Sequence, residues 1–364
     1  MTSTPRQRRG GRLAAALSLV TLLTAGCAGG DDAASPGDGD PSAAAGASSD
    51  TFTNPVLDAD YPDPDIVLDG DTWYSYATGQ AGSSAIQVSS STDLVTWSEP
   101  EDALPSRPDW QPLQDGLTWA PDVSQVQDRW VMHYTAREED SGLQCLALAV
   151  ADAPTGPFVD ESTEPLLCQR DLGGSIDSFL FRDADDSLHL FWKNDGNARG
   201  LDTTIWVQPL SPDGLRLGGT AVDTGLRQTQ PWQGELVEAP TVVLRDGTYV
   251  LFYSASSYGD ESYAMGYATA TDVTGPYTDR SVEPWVDSEG EASGPGGQEV
   301  FELDGEQWMI YHAWQAGEEG YDGGGARALW MDRLTWQDGP PGEAVPVLEG
   351  PTDDPQPRPE LPVG

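Results

Sequence analysis

Five times along the chain a short aromatic run recurs at nearly constant distance: DTWYSYATG, DRWVMHYTA, DSLHLFWKN, GTYVLFYSA and EQWMIYHAW. Their anchors, Trp73, Trp130, Leu188, Tyr249 and Trp308, are separated by 57, 58, 61 and 59 residues. Each run alternates large side chains with a period of two, the signature of a β-strand. Upstream of each anchor lies a second element: DPDIV at Asp63, APDVS at Ala120, DSFLF at Asp177, APTVV at Ala239 and QEVFE at Gln298, with the third copy one residue further from its anchor. A third element follows downstream in IQVSSSTDLVTW, LALAVADAPTGPF and MGYATATDVTGPY. The clusters between them are Gly, Pro, Asp and Ser, which are turn residues, and no amphipathic helical pattern interrupts the series. Five copies of a multi-strand unit without helices predict an all-β fold, a five-bladed β-propeller, whose radial repetition leaves only short sheet edges. The domain is expected over residues 53–350, followed by an acidic, Pro-rich tail over 351–364.

Charge narrows the partners. Asp and Glu number 60 against 18 Lys and Arg, a formal net charge of -42, and Lys193 is the single lysine. Such acidity argues against nucleic acid, anionic lipid or a polyanionic substrate and points to a neutral ligand. The first 27 residues combine an arginine-rich start with a short apolar run ending in LTAGC, which reads as a bacterial export signal with a lipobox-like end. Thr24 stands where the lipobox pattern prefers Leu; Cys27 is the expected lipidation site, and the only expected membrane contact is through that anchor. Residues 28–52 are small and polar and are expected to form a flexible tether. In an exported protein the remaining cysteines, Cys145 and Cys168, are expected to pair. A monomer outside the cell is the expected state.

The second repeated element also carries acids. If it is the innermost strand of each blade, Asp63, Asp177 and, one place earlier, Glu238 converge on the central channel, while the other two copies carry Ala120 and Gln298. Asp122 and Glu299 lie in the remaining innermost strands, displaced from this register. Acids gathered in one funnel repel each other and are partly desolvated, which splits their ionisation. Two carboxylates of unequal ionisation across a sugar-sized gap are the minimum machinery for glycoside hydrolysis.

The segments NPVLDADYPDPDIV, TWAPDV, GGSIDSFLF, VEAPTVV and GPGGQEVF followed by YHAW resemble glycoside hydrolase family 43, a family of inverting arabinanases, arabinofuranosidases and β-xylosidases. The resemblance runs from about Asn54 to Trp336 and implies a five-bladed propeller. It implies Asp63 as general base, Glu238 as general acid and Asp177 as the third acid that tunes and orients Glu238. Trp119 is a candidate sugar-stacking platform, or a residue of inter-blade packing. Arg327 resembles the family's arginine beside the reactive sugar, where it could pair with a carboxylate such as Asp177. FWKNDGN places Lys193 and Asn194 in a loop after a strand, with Asn194 a candidate on the pocket rim. Many members read Gly-Pro-Gly-His where this chain has GPGGQ, so Gly297 replaces a histidine that often helps hold a central metal. No cofactor is required on this reading, and a structural calcium is weakened by Gly297. The expected substrate is a neutral, pentose-containing oligo- or polysaccharide with α-L-arabinofuranosidic linkages. A β-xylosidase and a catalytically impaired carbohydrate-binding propeller are the alternatives.

Overall fold

The computed structural model describes residues 50–112, 117–339 and 344–361. The signal-like segment, Cys27 and the tether as far as residue 49 lie outside the described residues. Among those described, no helix is long and apolar enough to cross a membrane.

After β1 (Thr51–Phe52), the chain builds five antiparallel sheets in succession, each a simple meander. Blade one is β2 (Asp65–Asp69), β3 (Thr72–Thr78), β4 (Ile86–Ser91) and β5 (Glu101–Asp102). Blade two is β6 (Thr118–Val126), β7 (Arg129–Arg137) and β8 (Gln144–Ala151). Blade three comprises β9 (Ser175–Arg182), β10 (Leu188–Asn194), β11 (Ile205–Pro209) and β12 (Val222–Asp223). Blade four comprises β13 (Val237–Arg245), β14 (Thr248–Ala255), β15 (Ala264–Ala270) and β16 (Thr278–Asp279). Blade five comprises β17 (Ala292–Leu303), β18 (Glu306–Gln315), β19 (Arg327–Asp338) and β20 (Ala344–Leu348), and β21 (Gln356–Pro357) closes the order. This is the five-bladed propeller that the repeat predicts.

The repeated aromatic runs are the second strands. All seven residues of β10, and β7 apart from its two ends, are buried, because each blade is covered on both faces by its neighbours. A strand buried on both sides needs apolar side chains at nearly every position, with aromatic and β-branched residues favoured. The core accordingly lies between blades. Trp73 packs on Phe301 at 5.1 Å between rings, joining blade one to blade five. Tyr76 with Trp130, Leu190 with Val131, Phe191 with Leu251, and Phe252 with Trp330 serve the other four interfaces. The acids Asp63, Asp65, Asp122, Asp177 and Glu299 are gathered at the axis.

The ring closes through both chain ends. Val56 N–H donates to Leu329 O at 2.9 Å and Tyr61 N–H to Arg327 O at 2.8 Å, so the entering segment is tied to blade five before it starts blade one. Asn54 and Met331 exchange two hydrogen bonds, at 3.0 and 2.9 Å. The expected tail is also part of the fold. β21 pairs with β1, Gln356 Nε2 donates to Asp332 at 2.9 Å, and Arg358 reaches Asp93 at 3.0 Å. The domain therefore extends past 53 and 350 at both ends, because the tail's polar groups satisfy buried partners in blade five. Cys145 on β8 and Cys168 form the expected disulfide.

Candidate active site

One residue of each blade, at the channel end of the innermost strand, has a left-handed backbone: Asp63 (φ 54°), Ala120 (42°), Asp177 (55°), Ala239 (50°) and Gly297 (59°). In blades two to five the ladder register shifts at this point, the mark of a β-bulge that re-aims the chain. The sequence register assigned Gln298 to the fifth copy, whereas Gly297 holds the equivalent place. The fifth blade carries the same extra residue before its anchor as the third. For a non-glycine residue this conformation costs about 1–2 kcal/mol, so it persists only where other contacts fix it.

Those contacts form a pattern. The five bulge N–H groups donate to His312 Nδ1 (3.0 Å), Thr78 Oγ1 (2.9 Å), Thr135 Oγ1 (3.2 Å), Asp177 Oδ2 (3.1 Å) and Ser254 Oγ (2.9 Å), in blade order. His312, Thr78, Thr135 and Ser254 all lie on the second strand of the preceding blade. The corresponding residue of blade three, opposite Ile176 in the ladder, is Lys193, which has no acceptor to offer. There Asp177 of the first strand takes the Ala239 N–H instead.

Asp63, at the entry to blade one, and Asp177 and Glu238, at the bulges of blades three and four, line one cavity of about 920 Å³, together with Trp119, Lys193, Tyr263, Tyr258, Tyr321 and Arg327. Asp63 accepts from Thr78 Oγ1 at 2.6 Å and faces Arg327 Nη1 at 3.4 Å. Burial, and then the nearby Arg327 charge, push the His312 imidazole well below its ordinary range, so it is neutral. Since Nδ1 accepts the Asp63 N–H, the His312 proton resides on Nε2. Asp177 is pushed well above the usual carboxylate range, first by burial and then by the negative charge of Glu238, against the opposing pull of Lys193. Glu238 is gripped at both oxygens: Lys193 Nζ donates to Oε2 at 2.8 Å and the Tyr263 hydroxyl to Oε1 at 2.8 Å.

Two expected contacts are corrected. Arg327 pairs with Asp63 and not with Asp177; its guanidinium is held against Tyr258 (4.9 Å) and Tyr321 (5.6 Å), and its backbone N–H donates to Asp60 at 3.1 Å. Asn194 is not a pocket residue. It ends β10 with its amide donating to Leu172 O and Asp202 O, while its oxygen accepts from Thr204 N–H and the Trp206 indole. Both donors and the acceptor are spent on the fold. The neighbour, Lys193, is the residue that faces the cavity, on a strand and not in a loop.

Position 297, where the resemblance implies a metal-holding histidine, carries a glycine. Gly297 supplies no donor, and the His312 ring occupies the space above it: a Cβ at 297 would meet that ring at 2.6 Å. Among the described residues the one group with metal-ligand spacing is Glu138 with Cys145 and Cys168, whose sulfurs are bonded to each other.

Beneath the acids the channel narrows to about 40 Å³, lined by the five bulges and by Asp65, Asp122 and Glu299. Asp65 accepts Val123 N–H at 2.8 Å and Asp122 accepts Leu180 N–H at 3.0 Å, each stapling its blade to the next. Burial, then the charge of Asp122, pushes Asp65 well above the carboxylate range; burial, then Asp65 and Asp122, does the same to Glu299.

Sequence motifs located the three acids, Trp119 and Arg327, but not the second-strand ring. The signal was present: Thr78, Thr135, Lys193 and Ser254 each fall five residues after their anchors, and His312 four after its own. Aligning the repeats in that column sets a lysine among hydroxyls and a histidine.

Residues 52–341 match Glycosyl hydrolases family 43. The chain is 24% identical over 299 residues to an extracellular endo-α-(1→5)-L-arabinanase of Bacillus subtilis, covering 77% of this chain and 86% of that protein. It is 26% identical to a β-D-galactofuranosidase of Aspergillus niger, covering 82% and 86%. A crystal structure described as a thermostable family-43 glycoside hydrolase superposes with a TM-score of 0.75 at 31% identity, covering 86% of this chain and all of that one (100%). With the family motifs, the five-bladed frame and the match over most of its length, the chain belongs to glycosyl hydrolase family 43.

Proposed function

We propose that this chain is an exported, lipid-anchored, inverting glycosidase that cleaves α-L-arabinofuranosidic linkages. The observation that carries the reading is the convergence of three acids from three blades on one cavity, each in a different environment. Asp63 acts as general base. It takes a proton from water while the water oxygen bonds to the anomeric carbon on the face opposite the leaving group. The glycosidic C–O bond breaks as Glu238 gives its proton to the departing oxygen, so the configuration inverts. Asp63 ends protonated and Glu238 ionised, and both return to their starting states through solvent. Asp177 holds the Ala239 bulge next to Glu238, and burial together with the Glu238 charge raises its own carboxyl. Arg327 orients Asp63, and the face of Trp119 suits the apolar side of a sugar ring.

The arabinofuranoside reading is supported by similarity to the arabinanase over most of both chains, and the -42 charge suits an uncharged substrate. Export is supported by the first 27 residues and by that relative's extracellular description. Similarity to the galactofuranosidase makes a hexofuranoside the second reading.

The test is an NMR time course on linear α-1,5-arabino-oligosaccharides, with xylo-oligosaccharides and a β-D-galactofuranoside in parallel. Early β-arabinose establishes hydrolysis and inversion together. Early α-arabinose would overturn inversion, activity confined to another sugar would overturn the substrate, and silence on all three favours a binding propeller. Glu238→Gln is expected to lower turnover by at least about 10²-fold with the fold intact.

A further inference from the structure

Lys193 is the one place where the second-strand ring abandons its structural task. In blades one, two, four and five this position carries a side chain that accepts a bulge N–H from the next blade. In blade three it carries a buried ammonium, its side chain 1% exposed, that cannot accept and instead donates at 2.8 Å to Glu238. Asp195 Oδ1 stands 3.7 Å away on its other side. Burying a lysine is costly unless its charge is matched, and a threonine would have served the backbone.

We propose that Lys193 is a positioning residue of the hydrolytic step: its ammonium balances the Asp177–Glu238 pair, fixes the direction of the Glu238 carboxyl, and sets the alkaline end of the working pH range. This rests on the glycosidase reading above. The charged and titratable groups around it are Glu238 on β13, Asp177 on β9, Asp195 after β10, Tyr263 through Glu238, Asp63 across the cavity and Arg199 beside Asp195. Burial alone would push the Lys193 ammonium down; Glu238, Asp177 and Asp195 together outweigh burial and raise it, so it stays charged. Asp177 and Glu238 line the same cavity, and the Glu238 charge adds to burial in raising Asp177. With the ammonium present the pair releases its proton more readily to a departing oxygen; without it, the last proton is held more tightly.

The experiment compares Lys193→Thr, Lys193→Met and Lys193→Arg with the wild type on an aryl glycoside and on an oligosaccharide of the sugar the wild type cleaves. Lys193→Thr restores the hydroxyl used at 78 and 135, so a purely structural role predicts near-normal kinetics for it. The expected result is an alkaline limb of kcat/KM moved up by about one pH unit or more in the Thr and Met variants. Oligosaccharide turnover is expected to fall about 10–100-fold and aryl glycoside turnover much less, because nitrophenolate leaves without a proton. Lys193→Arg keeps the limb near its wild-type position. An unmoved limb, or equal losses on both substrates, overturns the proposal while leaving the glycosidase reading intact. A wild type inactive on every glycoside sinks both.

Discussion

Gly297 and His312 occupy each other's space. The imidazole lies over the glycine, parallel to the Tyr263 ring at 5.8 Å, and its Nδ1 receives the Asp63 N–H. A Cβ on Gly297 would come within 2.6 Å of that ring and 3.2 Å of the Asp63 Cα, on a backbone at φ 59°. Gly297→Ala is therefore expected to lower stability by about 1–3 kcal/mol and to cut kcat more than it changes KM, since displacing His312 loosens Asp63. Denaturant unfolding and steady-state kinetics check this; unaltered kinetics would show that His312 does not fix Asp63. The histidine missing from the GPGGQ motif was legible in the sequence. That a histidine from the adjacent strand fills the same space was not, because strand pairing and ring orientation are long-range facts. Asp63, Asp177 and Glu238 were legible as motif residues, whereas the partner of Arg327 depended on geometry across the ring.

Strands and their order were readable because burial on both faces forces a dense aromatic pattern at a fixed interval. The bulges were harder to place. A bulge adds one residue without changing composition, so the fifth copy was read one position late, at Gln298 and not Gly297. Bulges also set the second tier of acids, two residues further in: Asp65, Asp122 and Glu299. Carboxyls raised in the folded state stabilise it fully below their unfolded values, and this contribution is lost as pH rises through the folded ones. Asp65 and Glu299 are both raised, so their own contribution to stability is expected to decline from acidic toward alkaline pH. Glu299→Gln keeps an acceptor for Thr241, whose hydroxyl lies 3.2 Å from the Glu299 carboxylate, and removes a charge. It is expected to raise Tm by about 2–4 °C at pH 8 and to change it little at pH 4. Melting curves across that range decide the matter, and an equal change at both ends would refute the electrostatic account.

For the whole molecule, the sequence repeat gave the number of blades but not how the ring is fastened. The last residues look like a solvated tail because Asp, Pro and Glu dominate them; their hold on the domain comes from a few polar groups that meet buried partners. Burial pushes the Asp332 carboxyl up to about 7 against the hydrogen bonds from Tyr311, Gln356 and Asn54 that oppose it. Deleting residues 351–364 strips Gln356 from Asp332 and β21 from β1. Tm is expected to fall by about 4 °C or more, with kcat at low temperature within about twofold of the full chain, because none of the described residues in this segment lines the cavity; calorimetry and an activity assay check the two halves separately. The narrow waist under the acids governs traffic. At about 40 Å³ it admits a few water molecules and no sugar ring. A saccharide that enters from the wide side must back out the way it came, so a lingering product occupies the seat of the next substrate.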